Sequence, residues 1–228
     1  MQIHAKKQRG IDWLFFDIGG VLVDDSKIEA WRRKIIYAVA RGIDKSISHA
    51  MVNRALDRAS SIIGNLNKNA IKTLIPNQGM FEKAFTELAK HKREDAVDYF
   101  ADLPVRPEAL KVVAELAKHY KLGIIANQPP AARKKLSKAG LSKYFDHFGI
   151  SGDHGFHKPD PRIFQVVLRQ TKAESSRSVM IDDNCSRGLA PAKKFGMKVV
   201  WYKLPKAPAC NFAPDFTINR LEDLLIIF

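Results

Sequence analysis

The chain has two cysteines in 228 residues, Cys185 and Cys210. They stand in no zinc-ligand spacing and are too few for a disulfide framework, so a small scaffold stapled by bridges is excluded and a reducing compartment is expected. No run of about 18 apolar residues exists, which excludes a membrane-spanning helix as the reading of any segment. The opening MQIHAKKQRG is basic but lacks the apolar stretch of a secretory signal. Together these absences predict a soluble, cytoplasmic chain. Acids are also scarce, with 24 Asp and Glu against 38 Lys and Arg for a formal charge of +14. One basic stretch without acids lies between Glu115 and Asp146 and another runs from Arg187 to Lys206. Such a field favours phosphorylated ligands or polyanions. Regular aromatic interleaving, zinc-finger spacing and RNA-binding signatures are all missing, so nucleic acid is not the expected partner and a solvated basic surface accounts for most of the excess. There is no internal repeat and no low-complexity segment.

What is present reads as an ordinary globular protein. Hydrophobic residues at 46% and charged residues at 27% are enough for a sizeable core. The length suits one large α/β domain, or a core domain with a smaller one inserted. WLFFDIGGVLVDD, Trp13 to Asp25, is an apolar strand that stops at Asp17 and turns on Gly19 and Gly20. A carboxylate at that place sits at the sheet's carboxyl edge, where open α/β sheets keep their sites; it is a nucleophile, a metal ligand or the cap of a turn. Five later segments read as strands: KLGIIA (121–126), HFGIS (147–151), SVMID (178–182), KVVWY (198–202) and DFTIN (215–219). Helical patterns lie between most of them, at 107–119, 131–139, 161–170 and 190–195, an alternation that predicts a parallel sheet with crossover helices. Asp160 followed by Pro161 is a helix start.

The interval after the first strand is different, because nearly all of it reads helical. SKIEAWRRKIIYAVARG places Ser26 and Glu29 in capping-box spacing, puts Ile28, Trp31, Ile35 and Val39 on one stripe, and closes at Gly42. Further helices are expected at about 46–63, 79–91 and 93–101, with Phe81, Ala84, Phe85 and Leu88 on one face of the 79–91 helix. The expected organisation is therefore a core of residues 1–24 and 104–228 with an α-helical cap of residues 25–103 over the sheet edge.

Four positions fall at strand ends on that edge. Asp17 ends the first strand, Asn127 and Gln128 follow the second, Lys158 lies in GFHKPDPRIF after the third, and Asp182 and Asp183 end the fourth. In this ordered set, with VMIDDN followed by APAKKFGM, the chain resembles the haloacid dehalogenase (HAD) superfamily with a helical cap of the first type, from about Ile11 to Phe228. The resemblance implies a doubly wound parallel sheet, a Rossmannoid core, and most often Mg²⁺-dependent phosphoryl transfer from a small phosphorylated metabolite. It implies that Asp17 attacks phosphorus to give an aspartyl-phosphate. It further implies a Mg²⁺ held by Asp17, the Gly19 carbonyl and Asp183 or Asp182, in the oxygen-rich surroundings this ion prefers. Lys158 supplies a fixed positive charge, and substrate contacts fall to Gly19, Gly20, Ala126, Asn127, Gln128 and Lys158. Taken singly, Asp182–Asp183 reads as solvated loop charge and Lys158 as surface; together with Asp17 they do not.

The chain departs from the family pattern in three places. Gly19 stands where phosphatases carry a second aspartate as general acid and base, a role worth about 10²–10⁴-fold. Ala126 replaces the Ser or Thr of the second motif, and Asn127 and Gln128 are either amide donors or turn residues before Pro129. Downstream of Asp183, Arg187 and Gly188 stand where another acid is common, and Arg187 is either a contact for an anionic substrate or a surface charge. His154 and His157 flank Lys158 as candidate proton shuttles. Cys185 reads as a small buried side chain. The leading expectation is a HAD-type phosphatase that favours leaving groups needing little protonation. A catalytically weak or inactive HAD-fold binding protein is the alternative, and a haloacid dehalogenase, which works without Mg²⁺, is the third.

Overall fold

The computed structural model describes residues 8–91, 103–205 and 207–228. The chain divides into two compact units, Met1–Asp24 with Phe100–Phe228, and Asp25–Tyr99.

The first unit is built on six parallel strands in the order β3-β2-β1-β4-β5-β6. They are β1 Trp13–Phe16, β2 Lys121–Ala126, β3 His147–Ile150, β4 Ser178–Asp182, β5 Lys198–Tyr202 and β6 Phe216–Ile218. All four residues of β1 are buried, as expected of a central strand covered on both faces. Its neighbours make room where they must: a Cβ on Gly123 would stand 2.5 Å from the Phe15 ring. Crossover helices Ala109–Leu116, Ala132–Lys138, Pro161–Thr171 and Ala190–Lys194 alternate with the strands. Asp160 accepts from the Arg162 N–H and Pro161 opens the third of them, the predicted helix start. The chain builds β2 and β3 outward on one side of β1, then returns to lay β4 on its other side. That reversal is the topological switch point at which doubly wound sheets bind their ligands.

The second unit contains four helices among its described residues: α1 Ser26–Ile43, α2 His49–Ser60, α3 Leu66–Leu74 and α4 Gln78–Lys90. Ser48, Asn65 and Asn77 each accept a backbone N–H at a helix start. Phe81, Ala84 and Leu88 are buried and Phe85 packs beside them, as the periodicity requires.

Several local expectations differ from the outcome. Helix α1 begins at Ser26 itself, so Ser26 is its first helical residue and no capping box forms; Glu29 pairs instead with Arg32 and Arg33. Its buried residues are Ile36, Val39 and Ala40, with Ile35 packed beside them, and the helix runs one residue past Gly42. The expected 46–63 helix ends at Ser60, and α3 was not anticipated, because LNKNAIKTL buries only Ala70 and Ile71. The helix expected at 93–101 lies outside the described residues.

Candidate active site at the carboxyl edge of the sheet

Asp17 follows β1 directly and is 5% exposed; its N–H donates to the Ile181 carbonyl at 2.9 Å, which continues the β1–β4 register past the last apolar residue. Its Oδ1 accepts from the Ile18 N–H at 2.8 Å. The next residues fold into a tight loop in which Ile18 O receives the N–H groups of Leu22 and Val23, while the Gly20 N–H goes to Val23 O. Glycine is required at position 20 on two counts. Its φ is +73°, and a Cβ there would come within 2.6 Å of the Asp183 carboxylate.

Lys158 is 1% exposed although it lies in a loop. Its ammonium lies 2.6 Å from Asp182 Oδ2 and 3.1 Å from Asp17 Oδ1. Asp182, fully buried at the end of β4, also takes the Asn184 N–H on Oδ1 at 2.8 Å. Asp183 is half-buried, and its carbonyl accepts from the Trp201 indole at 3.1 Å. Oxygens of Asp17, Asp182 and Asp183 all lie within 4.8 Å of one another. An all-carboxylate cluster of this kind is a donor set suited to a hard divalent cation, so the residues fit a metal ion.

Burial pushes the Asp17 carboxyl up, and Asp182 adds to this, while Lys158 and Arg187 pull it down without cancelling the rise. Burial alone would push the Lys158 ammonium down, but Asp17 and Asp182 more than offset it, so Lys158 titrates above ordinary lysine and stays charged.

Two of the three departures have distinct structural settings. Gly188 packs against Asp182: a Cβ there would stand 1.9 Å from Asp182 Oδ2, so no side chain, acidic or otherwise, fits. Gly188 lies within Cys185–Leu189, a π turn, a widened helical turn of the kind that recurs at functional sites. Arg187 is half-buried rather than a surface charge, and it lies near enough to Asp17 and Lys158 to bias both. Ala126 is fully buried at the end of β2. After it, the Gln128 carbonyl receives the Gly152 N–H and the Ser151 hydroxyl. Asn127 turns its side-chain amide onto the backbone of Lys158, with contacts of 2.7 and 2.8 Å. Of the two histidines flanking Lys158, His154 lies beside His147 and helps hold its imidazole low, after desolvation.

Two features escaped the sequence reading. Arg106 donates from Nε and Nη2 to the Gly20 carbonyl at 3.2 and 2.8 Å, with its guanidinium over the Tyr202 ring. It braces the loop after Asp17 from 86 residues away, and no local pattern marks it. Cys185 and Cys210 are bonded, with Cα atoms 5.5 Å apart, because the chain after β5 folds back over the π turn. This pairing removes the cysteine argument for a reducing compartment. No helix among the described residues is long and apolar enough to cross a membrane.

The comparisons agree with this geometry. The family model of the haloacid dehalogenase-like hydrolases matches residues 11–196. The chain is 28% identical to a glyceraldehyde 3-phosphate phosphatase of Pyrococcus furiosus over 95% of its own length and 92% of the relative's. It is 29% identical to a phosphoserine phosphatase of Thermus thermophilus over 64% of this chain and 63% of that one. A HAD phosphatase from Thermococcus onnurineus superposes with a TM-score of 0.62 at 26% identity, covering 95% and 97% of the two chains. Matched over most of its length, the chain belongs to the haloacid dehalogenase-like hydrolases.

Proposed function

We propose that the chain is a Mg²⁺-dependent phosphatase that hydrolyses small phosphorylated metabolites through an aspartyl-phosphate on Asp17. The observation that carries this reading is the convergence of Asp17, Asp183 and the buried Lys158 ammonium at one strand edge. Asp17 and Asp183, with the Gly19 carbonyl, are the proposed metal ligands. Asp182, already engaged by Lys158 and the Asn184 N–H, anchors the lysine. The metal supplies charge neutralisation that lets a carboxylate approach a phosphate.

The chain's own residues do the rest. Lys158 opposes the upward push of burial on the Asp17 carboxyl without cancelling it, and its ammonium receives phosphoryl oxygens. An Asp17 oxygen displaces the alcohol from phosphorus, forming the acyl-phosphate bond as the ester P–O bond breaks with its electron pair leaving on oxygen. Water then cleaves the acyl phosphate, releasing inorganic phosphate and regenerating the carboxylate. Gly19 offers no proton to the leaving oxygen, so aryl, acyl and anomeric sugar phosphates should turn over faster than alkyl phosphates. The helical unit inserted in sequence between β1 and β2 serves as the substrate-selecting cap domain.

The test is a panel of p-nitrophenyl phosphate, glyceraldehyde 3-phosphate, phosphoserine and simple alkyl phosphates, with and without Mg²⁺, alongside Asp17→Asn. Turnover that needs both Asp17 and the metal is expected; equal turnover by Asp17→Asn removes it as the nucleophile. The second reading, a binding protein with little catalysis, is favoured by Gly19 and Ala126. Calorimetric binding of phosphate esters without product would establish it.

A further inference from the structure

A lysine side chain has four rotatable carbon–carbon bonds, so where its ammonium ends up depends on how firmly its backbone is held. Lys158 belongs to the loop between the short helical turn Ser151–His154 and the helix Pro161–Thr171, beyond the end of β3, so no strand fixes its peptide groups. One side chain does. The Lys158 N–H donates to Asn127 Oδ1 at 2.7 Å, and Asn127 Nδ2 donates to the Lys158 carbonyl at 2.8 Å. A single planar amide thus gives Lys158 the paired contacts that a neighbouring strand would give, across 31 residues of sequence.

Asn127 sits immediately after β2, and Ala126 ends that strand in register with Ile150 at the end of β3. The amide therefore projects from the rigid sheet, while its partner lies on the loop. Both of its hydrogen-bonding ends are engaged, leaving one Nδ2 hydrogen as the only donor it has left for a phosphate oxygen. Ala126 carries no hydroxyl, so Lys158 bears more of the phosphate-binding task than in a site with Ser or Thr there.

We infer that Asn127 is a positioning residue: it clamps the Lys158 backbone so that the ammonium reaches both Asp17 and Asp182, and it acts on the phosphoryl group through Lys158 rather than by a contact of its own. The role of Lys158 here rests on the phosphatase reading; the clamp itself does not.

The experiment is a double-mutant cycle of Asn127→Ala and Lys158→Met, read in kcat/KM and in calorimetric affinity for inorganic phosphate with Mg²⁺ present. Asn127→Ala alone should lower kcat/KM by about 10–10²-fold, the scale of a misplaced catalytic group. In the Lys158→Met background it should change either quantity by less than about threefold, since contacts that act as a unit are not additive. Equal losses in both backgrounds would mean that Asn127 touches the phosphate directly and would overturn the inference. A crystal structure of Asn127→Ala, or of Asn127→Ser should alanine not fold, reads the clamp without turnover. The ammonium should move beyond about 4 Å from Asp17, outside ion-pair range. An ammonium still held by both carboxylates would equally overturn the inference. Wild-type protein that hydrolyses nothing on the panel would sink the phosphatase reading alone, and the phosphate affinity and the crystal structure would still decide the role of Asn127.

Discussion

The two units use their buried volume differently. In the helical unit the buried side chains are almost wholly apolar, with Ser60 the one buried polar residue among those described. Its polar residues work at helix ends, where Ser48, Asn65 and Asn77 satisfy backbone donors. The α/β unit buries the charged residues Asp17, Lys135, Lys158, Asp160 and Asp182, of which Asp17, Lys158 and Asp182 converge at the carboxyl edge. Buried charges are weak contributors to stability and are costly when a partner is lost. Three such charges meet at one strand edge, whereas the interior of the helical unit holds none among the described residues.

The sharpest way to break this contrast is Lys158→Met, which strands Asp17 and Asp182 without their cation. Denaturant unfolding of the metal-free protein should show a loss of about 3–5 kcal/mol, and turnover should fall by about 10²–10³-fold. A neutral effect on both would mean that the carboxylates are not in fact desolvated. In the helical unit, Ile71→Ala removes a fully buried side chain and should cost about 2–5 kcal/mol through the cavity it leaves. Calorimetric affinity for inorganic phosphate should stay unchanged, and a shift there would erase the division of labour.

Reducing the Cys185–Cys210 bond, or replacing Cys210 by Ser, opens a closed loop of 25 residues. The expected loss is about 3 kcal/mol, measured as a lower unfolding midpoint with dithiothreitol than without.

The smallest and most discriminating pair compares helix caps across the units. Asn65→Ala and Asp160→Ala should each cost about 1 kcal/mol at neutral pH. Hydrogen bonds from the Arg162 side chain, aided by its N–H, hold the Asp160 carboxyl below the usual range despite its burial. A depressed folded-state value contributes stability that is complete above the ordinary aspartate range and disappears as pH falls through the folded value. The Asp160→Ala deficit should therefore fade in acid while that of Asn65→Ala persists, as urea titrations at pH 7 and pH 3 would reveal.

Much of this was legible beforehand for identifiable reasons. Strands β2, β4 and β5 fall where KLGIIA, SVMID and KVVWY place them, because a parallel strand covered on both faces must be continuously apolar. Asp17 and the Asp182–Asp183 pair stood out because a charge ending an apolar run needs explanation. Helix α3 was missed because its amphipathic signal is thin, and Ser26 misled because a capping box is a local pattern that the entering chain, through Asp25, can override. Arg106, the Cys185–Cys210 pair and the orientation of Asn127 carry no signature at all. Each is a contact between segments far apart in sequence, visible only once the sheet brings them together.

The sequence by itself determined the alternation of strands and helices, the helical insert after the first strand, and the set of carboxylates and the lysine at strand ends, because these follow from periodicity and from charges interrupting apolar runs. The tertiary structure alone decided what each of those groups touches. It buried Lys158 between Asp17 and Asp182, pressed Gly188 against a carboxylate so that no acid could stand there, and turned Asn127 onto the lysine's backbone. The physical reason is that hydrogen bonds and desolvation act over a few ångströms in space, a distance that position along the chain does not encode.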